Sequence, residues 1–250
     1  QQIYKEILTL TKELKLDNGL TILIEDIKDI YSAHIKLVVK AGGYDEDHTI
    51  FNEGTSHFLE HCMFHSNEQF TTEKELHNYT DSIGASLNAY TTHHETGYTI
   101  SCMKENIIDS LAVIKNIVLN PILDNFDIEK ERHIILEEYN SYMNDPNNEH
   151  TINTLRHLLQ DTIYTNNIIG TTDSISNIKL EDLKKYYNTF YHPSNMILSI
   201  VGNVYNIDTL FENINNLFNF IHIEKEIVPE IPKLLPTHLN IEKYNHVTLD

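Results

Sequence analysis

The order in which hydrophobic periodicity changes along the chain constrains its fold more than any other feature. Alternation with period two comes first, helical spacing follows, and one strand-like run returns late. Residues 14–16, the turn Asp17-Asn18-Gly19 and residues 20–24 read as an opening hairpin. A third strand over 33–40 ends at Ala41-Gly42-Gly43, and after an acidic loop helical spacing runs from about 54 to 65. Thr72-x-x-Glu75 has the form of a capping box for a helix that stops at Gly84. Residues 85–103 return to strand character, broken at His93-His94-Glu95 into a second hairpin. Helices are predicted at about 106–119, 127–144, 149–162 and 180–190, then a strand over 196–201 and a helix over 207–218. Early strands, helices in a row and one late strand predict an α+β fold, because regular βαβ alternation is missing.

A chain of 250 residues with 40% hydrophobic residues can bury a substantial core, which excludes disorder for lack of apolar mass. Lys and Arg number 18 against 37 Asp and Glu, a net charge of −19, with no basic cluster, so nucleic acid and anionic membrane surfaces are excluded as partners. A basic or neutral partner fits better. Cys62 and Cys102 form neither a disulfide framework nor a zinc knuckle and read as buried thiols. The longest apolar runs, 35–39 and 196–201, fall far short of the roughly 20 residues that span a bilayer, which predicts a soluble chain with no membrane span. The chain opens Gln1-Gln2-Ile3 without an initiator Met or signal peptide, as expected of a processed chain or of a part of one. Pro229, Pro232 and Pro236 mark a semi-rigid linker, and Asn245-His246-Val247-Thr248-Leu249 looks like a strand that is only beginning. The expected organisation is a module over 1–220, a linker over 221–240 and the start of a second over 241–250.

The segment His57-Phe58-Leu59-Glu60-His61 carries chemistry. Two His at i and i+4 on a helix project to one side and can hold one divalent metal between them, with Glu60 beside them. On a helical wheel Phe58, Leu59, Cys62 and Met63 form an apolar face and His57, Glu60 and His61 share the other. A solvated helix face would show the same residues. On the helix from Asp127, Ile128, Ile135, Tyr139 and Tyr142 make an apolar stripe with Glu131 and Glu138, about 20° apart, on its edge, while Glu137 points away. A carboxylate on a core-facing stripe is costly unless paired or metal-bound. Glu138 therefore meets the need for a third metal ligand, or else makes a salt bridge.

The combination of His57-x-x-Glu60-His61 with the later Glu131 and Glu138 resembles the pitrilysin family of inverted zinc metallopeptidases, the inverzincins. Asp17-Asn18-Gly19-Leu20, Gly54-Thr55-Ser56, Asn88-Ala89-Tyr90-Thr91, Asp145-Pro146, Ile169-Gly170-Thr171, Tyr191-x-Pro193-x-Asn195-Met196 and Val201-Gly202-Asn203 resemble the family in matching order, over residues 14–220. The pattern is closer to the bacterial and mitochondrial-processing branch than to the large insulin-degrading branch. The resemblance implies an α+β roll forming one half of a two-half clamshell. It also implies one zinc ion on His57, His61 and Glu138, and Glu60 as general base. Glu131 joins the catalytic set as the group that orients or charge-tunes a ligand, with a plain helix salt bridge as its alternative. The strand at Asn88 and Ala89 would pair with an extended or unfolded peptide substrate through its backbone, the alternative being an ordinary edge strand. A second homologous half, in the same chain or a partner subunit, would complete the chamber and supply transition-state donors. The resemblance favours an intracellular or organellar, mitochondrion-like setting over secretion.

Three further histidines and a cysteine are read as structural: His65 as a helix-end residue, His93 and His94 as a polar hairpin tip, and Cys62 as core. In mitochondrial processing enzymes, acidic residues past the glutamate ligand select arginine; Asp145-Pro146-Asn147-Asn148-Glu149-His150 matches that only in part. The charge of −19 would still draw positively charged peptides over a distance. Two functional classes follow: a zinc endopeptidase, or a non-catalytic structural or assembly subunit of the same family, against which the intact motif argues.

Overall fold

The computed structural model describes residues 11–219 apart from 48, 125, 160–164 and 166. The linker prolines and the strand start at 245–249 lie outside the described residues. Six strands form one sheet: β1 (Thr11–Lys15), β2 (Thr21–Asp26), β3 (Ser32–Val39), β4 (Ser86–Thr91), β5 (Thr96–Met103) and β6 (Met196–Gly202), in the spatial order β1-β2-β6-β3-β5-β4. β6 runs parallel to β2 and antiparallel to β3, and the other neighbours are antiparallel. Both predicted hairpins form. In the first, Gly19 at φ +93 turns the chain, and its N–H donates to Leu16 O at 2.9 Å.

One sheet face carries Ile22, Ile24, Ile35, Leu37, Tyr98, Ile100, Leu198 and Ile200, none with exposed surface. The other carries half-buried Lys36, Thr99 and Ser199 in register across β3, β5 and β6. Alternation along each strand separates the two sets, so the core lies on one side only. The helices are α1 (Thr55–Cys62), α2 (Glu73–Ser82), α3 (Ile107–Leu119), α4 (Ile128–Met143), α5 (Pro146–Leu158), α6 (Thr172–Asn177), α7 (Leu180–Phe190) and α8 (Ile207–Phe218); α1, α2 and α3 pack on the sheet, α8 on α3, α4 and α7 on α1, and α5 and α6 on α4. α3 buries Ile107, Leu111, Ile114, Ile117 and Val118, and α8 buries Leu210, Ile214 and Phe218, each set at helical spacing. The α+β expectation holds.

The elements depart from the sequence reading in four places. α1 stops at Cys62, which leaves His65 beyond the helix. α5 begins at Pro146 and not at 149: Asp145 accepts from Asn147 N, and Pro146 takes the first turn, where a missing N–H costs nothing. α6 has no counterpart among the predicted elements; it is one short polar stretch with only Ile175 buried, closed by reciprocal Thr171 and Ser174 bonds. At α2, Thr72 accepts from Glu75 N as predicted, but the Glu75 carboxylate returns to Thr71 and not to Thr72.

Candidate metal centre

α1 brings His57, Glu60 and His61 to the covered side of the sheet next to β4. The helix has no side-chain cap of its own, since its N-terminal neighbour is Gly54 at φ +89. Glu46, wholly buried in the preceding loop, does that work: its carboxylate accepts from Gly54 N (2.8 Å), Ser56 N (2.6 Å) and Ser56 Oγ (2.6 Å). Burial pushes this carboxyl up to about 8, against the pull of those donors. Gly54 also allows close packing, because a Cβ there would lie 2.7 Å from Ile169 O and 2.9 Å from Gly170 Cα. The loop at Asn167, Ile168 and Ile169 is thereby seated on the start of the helix and lines the cleft beside it.

Below α1 the apolar face is buried as the wheel predicted, with Phe58, Leu59 and Met63 fully enclosed and Cys62 nearly so. On the other face the rings of His57 and His61 stand 4.7 Å apart. α4 delivers the third group: Glu138 Oε1 lies 3.7 Å from His57 Nε2, and Glu138 Oε2 lies 3.3 Å from His61 Nε2. One ligand atom from each of the three falls within 4.8 Å of the others. Tetrahedral zinc with ligands at its usual bond lengths holds them about 3.3 Å apart, so the donor set and its spacing fit that ion. Glu137 is exposed and outside the group.

Glu131 sits behind this cluster. Its Oε1 meets His61 Nδ1 at 2.8 Å and its Oε2 meets His65 Nε2 at 2.9 Å, while the His65 ring stacks on Phe126. With Glu131 accepting at Nδ1, His61 turns Nε2 towards Glu138, and loss of the Nε2 proton gives the form a metal needs. Burial works against charge on His61, but Glu131 and Glu138 outweigh it and hold the imidazole up at about 9. Burial, then the neighbouring His61 charge, lowers His57 to about 4. Burial would raise Glu131, yet its bonds to His61 and His65 bring it down to about 2. Glu138 is lowered as well, chiefly by His61. Without metal, His61 is thus the imidazolium of the group, and a metal would take the place of its Nε2 proton.

Burial applies to Glu131, 5% exposed, and not to Glu138, which stands half-exposed at the cleft. Tyr142, placed on the apolar stripe, is 39% exposed and lines the cleft. Two residues seven apart differ too little in direction for a wheel to rank them. His93 and His94 pack against Tyr44, far from a ligand role.

Glu60 is buried beside the ligands, and burial raises its carboxyl above the ordinary range while a 2.6 Å bond from Thr91 Oγ1 to its Oε2 pulls the other way. A cleft of about 420 Å³ opens over His57, Glu60, His61 and Glu138 and is walled by Ala89, Thr91 and Tyr142. A second, of about 360 Å³, shares Glu60, His61 and Ala89 and extends past Asn88 to Glu73, His77 and Ile134. β4 is the sheet's edge: β5 pairs Asn88 and Ala89 on one side and no described strand lies on the other, where Asn88 Oδ1 accepts from Ala89 N at 2.9 Å. Thr91 and Glu46 were not assigned roles from sequence. Thr91 follows Ala89 by two and so shares its strand face, which is the one signal that pointed to it.

The model of the insulinase family, peptidase family M16, matches residues 21–172, and that of the M16 inactive domain matches 177–247. This chain belongs to peptidase family M16. Among M16 relatives, an "Uncharacterized zinc protease" of Rickettsia bellii is 34% identical over 190 residues, covering 76% of this chain and 45% of that protein. The mitochondrial-processing peptidase subunit beta of Saccharomyces cerevisiae is 32% identical over 201 residues, 78% of this chain and 41% of its own length. The chain therefore spans less than half the length of these curated M16 relatives. A protease from Helicobacter pylori superposes with a TM-score of 0.80 at 24% identity, over 88% of this chain and 52% of that one. Pitrilysin does so at 0.75 and 18%, over 86% and 23%. The fold is the pitrilysin-type α+β half of a clamshell. Among the described residues no helix is long and apolar enough to cross a membrane.

Proposed function

We propose that this chain is the metal-bearing half of a zinc-dependent endopeptidase that hydrolyses extended or unfolded peptides. The observation that carries the reading is the convergence of His57 Nε2, His61 Nε2 and the Glu138 carboxylate, with Glu131 holding the far side of His61 and Glu60 alongside. His57, His61 and Glu138 would hold one zinc and leave a fourth position open. When bound, zinc acidifies a water and polarises the scissile carbonyl. Glu60 takes the proton as the water oxygen attacks the carbonyl carbon, then delivers it to the departing amine as the C–N bond breaks. Asn88 and Ala89 would hold the substrate as an added strand on the edge of β4, in place of the Asn88 side chain, which explains a preference for unfolded chains. Residues 1–220 form this half, 221–240 a linker and 241–250 the start of a second homologous half; that half or a partner subunit closes the chamber. The match to mitochondrial-processing subunits supports an intracellular or organellar setting.

The test compares zinc content in Glu138→Gln and Glu137→Gln, and cleavage of an unfolded peptide by Glu60→Gln with the second half present. Loss of zinc in the first variant alone, and zinc retained without cleavage in the third, are expected. Equal zinc in the first two would remove Glu138 as ligand; full cleavage by Glu60→Gln would remove the base. Zinc binding without any cleavage by the unmodified protein would favour a structural subunit.

A further inference from the structure

Thr91 is the last residue of the edge strand and donates its hydroxyl to Glu60 Oε2 at 2.6 Å. That is the hydrogen bond Glu60 makes to a described residue; its Oε1 makes none, and it is not a sealed-off orphan atom either. A hydrogen bond on one oxygen restrains the rotation of the carboxylate and leaves its other oxygen for the cleft that Glu60 lines. Ala89 and Thr91 alternate onto the same face of β4 and wall that cleft together. The strand on which a substrate would dock is therefore the strand that fixes the acid.

We propose that Thr91 is a positioning residue: its hydroxyl, carried by the substrate-docking strand, holds the Glu60 carboxylate so that Oε1 faces the reacting water. This rests on reading Glu60 as the general base. The hydroxyl keeps its own proton throughout; the proton that moves is the water's, taken at Oε1 and passed to the leaving amine. An extended substrate paired along Asn88 and Ala89 restrains the β4 backbone two residues from Thr91, so docking and the aim of the base are linked. Thr91 contributes to the chemical step and not to zinc or substrate affinity.

The test uses Thr91→Val, which keeps the shape and removes the donor, in the zinc-loaded protein with its second half present. Zinc content and KM for an unfolded peptide should stay within about twofold, kcat should fall by about tenfold to a hundredfold, and Thr91→Ser should recover most of it. Adding Thr91→Val to Glu60→Gln should cost nothing more, because the two act as one unit. A crystal structure of Thr91→Val should show the Glu60 carboxylate turned from its original position. An unchanged kcat, a loss that adds to that of Glu60→Gln, or a Glu60 side chain that stays in place would each overturn the proposal. Should Glu60→Gln itself cleave normally, the base assignment falls, and the Glu60 position in the Thr91→Val crystal still decides whether Thr91 holds it.

Discussion

The two helices that meet at the candidate metal centre are built differently. α1 is eight residues long and buries six of them, Thr55, Ser56, Phe58, Leu59, Glu60 and Cys62, while α4 is 16 residues long and buries only Glu131 and Ile135. The proposed ligands follow suit: the side chains of His57 and His61 are 12% and 23% exposed, that of Glu138 48%. His57 and His61 thus stand on a bed fixed by the core, and Glu138 stands on a surface helix. A metal bound across them would add its binding free energy to folding chiefly by tying down α4. Local opening without metal should accordingly concentrate on α4.

Removing the anchor of α1 should have the largest effect. Glu46→Ala strands the buried N–H groups of Gly54 and Ser56 and the Ser56 hydroxyl, and each buried donor left unmade costs about 1–3 kcal/mol. We expect a loss of about 4 kcal/mol in denaturant unfolding, against less than about 0.5 kcal/mol for Glu137→Ala on the exposed side of α4. A loss below about 1 kcal/mol would mean that packing alone seats α1.

Metal removal sharpens the contrast through pH. In the metal-free protein His61 is held up at about 9, above its ordinary 6.5, so its stabilising contribution is complete below pH 6.5 and lost as pH rises through 9. The loss should reach about 3 kcal/mol. Glu46, raised to about 8, loses stability in the same direction between its ordinary value and pH 8, with or without metal. His57, lowered to about 4, acts only at acid pH, where stability falls as pH drops from 6.5 towards 4. Zinc cannot share His61 with a proton, so loading should remove the His61 part of the alkaline slope, and zinc affinity should rise with pH up to about 9. Unfolding curves of both forms from pH 6 to 9 check this; identical slopes would detach His61 from the metal.

A third, smaller effect separates two carboxylates on one helix. Glu131→Gln keeps the three ligands but loses the charge behind His61 and should weaken zinc binding by about 10–100-fold, whereas Glu138→Gln removes a ligand outright. Competition with a chromogenic chelator measures both. If Glu131→Gln bound zinc as tightly as the unmodified protein, its bonds to His61 and His65 would be structural only.

How much of this was legible depended on whether partners are near in sequence. The succession of elements was readable because each carries its own periodicity, and Thr72 and Glu75 announced α2 within four residues. The insertion of β6 between β2 and β3 was not, since a strand's sequence does not name its neighbours. α6 is too short and polar to show a period, and the Asp145-Pro146 start of α5 carried a signal that the helical pattern further on outweighed. His57, Glu60 and His61 were readable as one helix face. Glu46 and Thr91 act on α1 from a loop and from a strand, and no spacing rule connects them to it.

The smallest prediction concerns what holds α4 in place when no metal does. Arg132 follows Glu131 and turns to the protein: its guanidinium bonds the carbonyls of Ile175 and Ile178, lies 5.5 Å from the Phe58 ring centre, and pairs with Glu129. It thereby ties α4 both to the end of α6 and to the buried face of α1, opposite the ligands. Lysine keeps the charge but lacks the fork that serves two carbonyls at once. Arg132→Lys should cost about 1–2 kcal/mol of stability and, because Glu138 lies further along the same helix, lower zinc affinity by less than about tenfold. Amide exchange in the metal-free variant should rise along α4 and leave α1 unchanged. Were exchange to rise equally in both, the two helices would open as one unit, and the contrast between a fixed bed and a movable third ligand would fail.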